Sequence, residues 1–185
     1  MLWRRLDLPG HEIGRLERRD HGGWELSGTA ILSYERRPCK LDYLVICDSG
    51  WRTESARVSG TIGDQEIDRR VSVDPERKWY LDGEECPAVA DCMDIDLGFS
   101  PSTNLLPIRR LSLPLGEEAE VRAAWLPFPS LVLELLPQVY RREGETTYRY
   151  ESGGGAFMRM LEVNAVGFVT SYPGLWQEEC HMTSR

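Results

Sequence analysis

The sequence predicts a mostly β single-domain fold: an antiparallel β-barrel, or a half-open barrel or sandwich, with at most one or two short helices. Three observations predict it. Turn signals recur at short intervals, at Pro9-Gly10, His21-Gly22-Gly23, Asp48-Ser49-Gly50, Gly63-Asp64, Asp82-Gly83, Gly144 and Gly153-Gly154-Gly155. The segments between them have strand length, the spacing of an all-β domain. Finally, several of those segments carry either strict alternation or apolar residues on both faces.

Leu41, Tyr43 and Val45 face one way while Leu44 and Ile46 face the other, which predicts a strand at a central position. From Trp51 to Ile62 the pattern alternates, with Ala56, Val58, Gly60 and Ile62 on a buried face and Thr53, Ser55, Arg57 and Ser59 on a wet one. Trp79-Tyr80-Leu81-Asp82-Gly83 reads as a strand entering a hairpin, because Asp-Gly supplies the positive φ angles of a two-residue turn.

A helix is expected only around Pro101 to Leu106. Ser100 can cap its free N–H groups, Pro101 suits the first helical position, and Pro107 is expected to end or kink it. Leu131 to Leu136 is again apolar on both faces. Tyr148 to Glu151 is read as a strand with Arg149 and Glu151 opposite Tyr148 and Tyr150. Gly153-Gly154-Gly155 is the hairpin tip before Ala156 to Val163, where Met158 and Met160 oppose Phe157 and Leu161. A strand apolar on both faces needs a second cover, which in a barrel is an outer helix, a partner subunit or a ligand inside. A bound acyl chain lined by the adaptable thioethers of Met158 and Met160 answers that need; a homodimer answers it as well.

Composition narrows the function classes. One domain spanning 1–185 is large enough to bury roughly 70% of its unfolded surface without staples. With 22 basic and 30 acidic residues the net charge is −8, which repels nucleic acid and anionic membrane surfaces at long range. No stretch approaches the length of a membrane span, and no export signal is legible, so a reducing cytoplasmic location is expected. The five cysteines, at 39, 47, 86, 92 and 180, are odd in number and lack a C-x-x-C pair. They are expected to be unlinked, with neither zinc nor another cofactor implied.

No motif specifies catalysis. His11, His21 and His181 are read at loops or chain ends, away from any nucleophile, and no Gly-x-Ser-x-Gly elbow or Walker loop occurs. Asp94 and Asp96 share a strand face. Paired carboxylates can work as acid and base, but ion pairing with Arg109 and Arg110 in one cluster supporting Phe99 to Leu106 is the simpler expectation. Among the tryptophans, Trp24, Trp79 and Trp125 read as structural, while Trp51-Arg52 and Trp176 lie nearer turns, where ligand contact is more open.

Several segments taken in order carry a resemblance. They are Leu41-Asp42-Tyr43, Cys47-Asp48, Trp51-Arg52-Thr53, Trp79 to Gly83, Asp94-Ile95-Asp96-Leu97-Gly98-Phe99-Ser100-Pro101-Ser102-Thr103-Asn104, Leu106-Pro107-Ile108-Arg109-Arg110-Leu111, Tyr148 to Ser152 and Tyr172-Pro173-Gly174-Leu175-Trp176. From about Trp24 to Trp176 the chain resembles the bacterial putative glycolipid-binding family. That resemblance implies an open antiparallel barrel similar to lipoprotein carriers and a non-enzymatic role in holding a glycolipid or related amphipathic molecule. Carriers of that shape work outside the cytoplasm, so the carrier role itself does not transfer with the fold.

The expected site therefore places an acyl part in an apolar interior near Met158 and Met160. The polar part lies near Trp51, Arg52, Asp94, Asp96, Arg109, Arg110, Tyr148, Tyr150 and Glu151. Two other readings stand beside it: a hydrolase using Asp94, Asp96 or Glu151 on a sugar or ester, and an interaction domain without a small ligand.

Overall fold

A computed structural model describes residues 1–180; His181 lies outside the described residues. The described residues form one 15-stranded sheet. In chain order the strands are β1 (Leu2–Arg5), β2 (Gly10–Arg18), β3 (Trp24–Tyr34), β4 (Arg37–Cys47), β5 (Thr53–Ile62), β6 (Gln65–Val73), β7 (Trp79–Leu81), β8 (Glu84–Glu85) and β9 (Asp94–Leu97). A helix α1 (Leu105–Leu111) follows, and then β10 (Glu118–Leu126), β11 (Glu134–Arg142), β12 (Thr147–Ser152), β13 (Phe157–Val163), β14 (Val169–Tyr172) and β15 (Trp176–Cys180). Two meanders, β2 to β8 and β15 back to β10, meet on either side of β1. All neighbours are antiparallel except β9 and β10. The sheet curls without closing, which is the half-open form of the predicted fold. Among the described residues no helix is long and apolar enough to cross a membrane.

Local chemistry explains the register. Asp82 and Gly83 both have positive φ and join Leu81 to Glu84 as a two-residue hairpin. In β12 Tyr148 and Tyr150 are buried while Arg149 and Glu151 pair on the other face at 3.2 Å. Thr53 departs from the expected wet face. Cys47 pairs with Thr53 but Ile46 pairs with Ser55, so Glu54 is the extra residue of a β-bulge. The bulge turns Thr53 inward, where its Oγ1 accepts the Ile95 N–H at 3.1 Å and its own N–H reaches Met93 O at 2.9 Å. Thr53 thus stitches β9 to the far half of the sheet.

The strands that are apolar on both faces have no second cover from within the chain. Leu44 is 37% exposed on the outer face of β4, and Met158 and Met160 are 48% and 38% exposed on the outer face of β13. No described residue of the chain covers that second face. Met158 and Met160 therefore do not line an interior cavity. In the Leu131 to Leu136 segment, regular pairing begins only at Glu134, and Leu131 and Leu133 are buried from an irregular connection.

The inner, concave face is filled by the chain itself. Residues 99–111 run across it as a short 3-10 turn (Ser102–Asn104) leading into α1, and they bury Phe99, Leu105, Leu106 and Ile108. At about 1.5–3 kcal/mol for each fully buried side chain, this plug contributes strongly to the core. Ser100 Oγ accepts the Ser102 N–H at 3.1 Å. Pro107 does not end the helix, because it occupies the first turn, where its missing N–H has no intrahelical partner to lose; α1 continues to Leu111.

The plug is pinned to both halves of the sheet. Ser100 Oγ and Tyr43 Oη both donate to Glu12 Oε1, at 2.5 and 2.7 Å. Tyr43 reaches Glu12 because Gly28 leaves room for it: a Cβ there would stand 2.3 Å from the phenol oxygen. On the other half, Asn104 Nδ2 donates to Tyr140 Oη at 2.8 Å. Arg110 forks onto Asp94, with Nε to Oδ1 at 3.0 Å and Nη2 to Oδ2 at 2.5 Å.

Three outcomes are expected. Burial raises the Glu12 carboxyl to about 8, against the lowering hydrogen bonds from Ser100 and Tyr43. A raised carboxyl contributes stability below its unfolded value, near 4.5, that is lost as pH rises through about 8. Thermal melts between pH 5 and 8 should thus show falling stability that Glu12→Gln flattens; an unchanged slope would refute the assignment. Arg110→Ala leaves Asp94 buried without its partner and should cost about 3–5 kcal/mol in denaturant melts. All five thiols are free. Exposed Cys180 and half-buried Cys86 should titrate quickly in the native protein, whereas Cys39, Cys47 and Cys92 should react only on unfolding. Burial pushes the Cys47 thiol up to about 12 and that of Cys92 to about 11.

Candidate functional site

The plug leaves two openings on the concave face, one at each end of residues 104–112. The first, of about 300 Å³, has Asp96 on its wall. β9 brings Asp96 in, and Gly98 follows where a Cβ would stand 2.8 Å from Trp125 Nε1, so the glycine lets that indole lie along the rim. Ser100 and Asn104 enter from the plug, Tyr150 from β12, Phe157 from β13, Tyr172 from β14 and Trp176 from β15. Tyr150, Phe157 and Tyr172 form a mutually tilted trio, with centroids 6.1 to 6.3 Å apart and planes crossing at 58° to 73°.

Asp96 accepts a hydrogen bond from Gln138, Nε2 to Oδ2, at 2.5 Å. Burial raises its carboxyl to about 6; the Gln138 bond opposes this and the nearby Asp94 charge adds to it. Burial also raises the Tyr150 and Tyr172 hydroxyls, with the Asp96 charge acting in the same direction. At neutral pH this is an ionised carboxylate among neutral phenols and indoles. The arrangement can stack a flat or C–H-bearing ring and accept hydrogen bonds from it.

The second opening, of about 380 Å³, is more polar and is lined by Arg109, Arg142, Tyr148 and Asn164 among others. Arg142 is spent on the carbonyls of Leu113, Gly144 and Glu145 at 2.9 to 3.2 Å. Arg109 lies over the Trp51 ring at 5.2 Å, and Trp51 stacks on Trp24 at 4.2 Å.

The sequence-predicted residues are therefore dispersed. Asp96 and Tyr150 share the first cavity, and Arg109 and Tyr148 share the second. Asp94 and Arg110 form a buried structural pair, so the four-charge cluster splits: Asp96 binds Gln138, and Arg109 stacks on Trp51. Trp51 is buried, and Arg52 is exposed beside the Asp48 turn, where its N–H meets Asp48 Oδ1. Glu151, Met158 and Met160 lie outside. His11, expected at a loop, is on β2 beside Glu179 at 3.1 Å. Among the described residues no group of His, Cys, Asp and Glu could hold a metal ion.

Sequence reasoning missed Trp125, which it read as structural, and Phe157, Tyr172 and Asn104. Only the pattern of a strand facing inward could have marked Tyr172, Phe157 and Trp125 as wall residues, and that requires the register. Trp176, read as more open to a ligand, does line the cavity.

Comparison with known proteins places this architecture. A family model described as "Putative glycolipid-binding" matches residues 1–178. The chain is similar to a crystal structure of a DUF1089 family protein from Pseudomonas aeruginosa, at 35% identity and a TM-score of 0.78 over 90% of each chain. No curated protein matches it. With nearly the whole chain matched, it belongs to the Putative glycolipid-binding family.

Proposed function

We propose that the chain is a binding protein for an amphipathic molecule whose ring-bearing polar headgroup enters the cavity around Asp96 while its apolar tail stays outside. The observation that carries this reading is one cavity in which a half-buried carboxylate is bordered by aromatic rings from five strands. Its 300 Å³ lies at the lower end of the roughly 300–1,000 Å³ of ligand pockets, which suits a headgroup better than an acyl chain. The interior where an acyl chain was expected is taken by Phe99, Leu105, Leu106 and Ile108. The family description accords with a glycosylated headgroup.

Binding is favoured over hydrolysis because the carboxylates do not converge. Asp94 is locked by Arg110, Glu151 faces outward, and Asp96 alone reaches the cavity. A two-carboxylate glycosidase needs both groups across the scissile bond.

Titration with octyl β-D-glucoside below its micelle concentration, followed by tryptophan fluorescence, tests the reading. A saturable change is expected. Trp125→Ala should weaken it about tenfold, the loss of one stacking wall, whereas Met158→Glu on the outer face should leave it intact. Unaltered binding by Trp125→Ala, or loss of binding in a folded Met158→Glu protein, would overturn it.

A further inference from the structure

Asp94 and Asp96 sit two residues apart on one strand, yet the protein treats their charges differently. Asp94 is neutralised by a two-pronged contact with Arg110. Asp96 has only the neutral Gln138 amide, on Oδ2, and among the described residues no lysine or arginine pairs with it. Asp96 is half-buried at the cavity wall, and a partly desolvated carboxylate without a cation is one that a cation from outside would offset. Its surroundings are those a cation from outside would favour. Tyr150, Phe157 and Tyr172 present ring faces at steep mutual angles, and Trp125 and Trp176 add two indoles to the same cavity.

Aromatic faces carry partial negative charge and attract ammonium groups, most strongly where water is excluded. This wall already does so with two of the chain's own cations. Arg159 lies 4.5 Å from the Phe157 ring centre, but its guanidinium is tied to the carbonyls of Pro173 and Met158 and does not reach Asp96. Arg5 similarly covers Trp176 at 5.2 Å while bonded to Asp7. Both arginines take ring faces and leave the Asp96 charge unmatched.

We propose that the cavity selects headgroups bearing a protonated amine or quaternary ammonium, with Asp96 as counter-ion and the aromatic walls as the cage. This rests on the binding reading above and names the chemistry it selects. A neutral glycoside fits the same space by stacking and by donating hydroxyl hydrogen bonds to Asp96; an amino-bearing one adds the ion pair and the cation–π contacts.

The test compares octyl 2-amino-2-deoxy-β-D-glucoside with octyl β-D-glucoside at neutral pH, a pair differing in one ammonium group. The amine is expected to bind about tenfold or more tightly. Asp96→Asn should abolish that preference, lowering the affinity for the amine about tenfold more than that for the neutral glycoside. Tyr172→Leu, which keeps the carboxylate, should reduce the preference several-fold, and thermal melts establish that both variants fold. Saturable binding of both glycosides with equal affinity would overturn the cation selectivity and leave the binding reading standing. A preference that persists in Asp96→Asn would likewise overturn it. Binding of neither glycoside would remove both.

Discussion

A single sheet of 15 strands has to cover its concave face, and this constraint organises the molecule. Helices packed from outside do not meet it, nor does a second sheet. One thirteen-residue stretch, 99–111, crosses the trough and buries its apolar side chains against both meanders. Glu12, Tyr43, Ser100, Asn104, Tyr140, Asp94 and Arg110 hold that stretch with buried hydrogen bonds and a buried ion pair. Buried polar groups of this kind cost energy unless satisfied, and once satisfied they fix one arrangement among many greasy ones.

The candidate site follows from the shape of this plug. A trough longer than the segment filling it leaves space at each end, and the residues bordering that space are those whose strand parity points inward. Tyr148 and Tyr150 show the effect: they are two positions apart on one face of β12, yet they border different cavities. The polar character of each end depends on which arginines are already committed. Arg142 and Arg110 are spent on carbonyls and on Asp94, so neither arginine offsets the Asp96 charge at the other end.

Elements governed by local chemistry were legible in the sequence. The Asp82-Gly83 hairpin and the alternation of Tyr148 to Glu151 appear where their residues dictate, whereas the helix expected over Pro101 to Leu106 is a 3-10 turn at Ser102–Asn104 followed by α1 at Leu105–Leu111. What escaped depends on distant partners. Thr53 faces inward because Glu54 bulges, and no local signal distinguishes that from regular alternation. Apolar residues on two faces of β4 and β13 suggested an internal ligand, but apolar atoms are common on protein surfaces, and their presence does not decide which face is covered. Glu12 lies outside every segment that carried the family resemblance, yet it anchors the plug. Asp96 was legible as a candidate because of its spacing from Asp94, while its lack of a cation became visible only once Arg110 was seen to choose Asp94.

The Thr53 stitch bears on how copies of this protein meet one another. An uncurled sheet this wide would present two raw margins, each able to recruit a strand from a neighbouring molecule. Here one margin, β9, is hydrogen-bonded back onto Thr53 of its own chain, and the other ends in the two glutamates of β8. The first half of β6, beyond the reach of β7, carries Glu66, Asp68 and Arg69. Charge and self-capping thus do for an open sheet what closure does for a barrel, and they turn any assembly of copies away from strand addition and toward contact between faces.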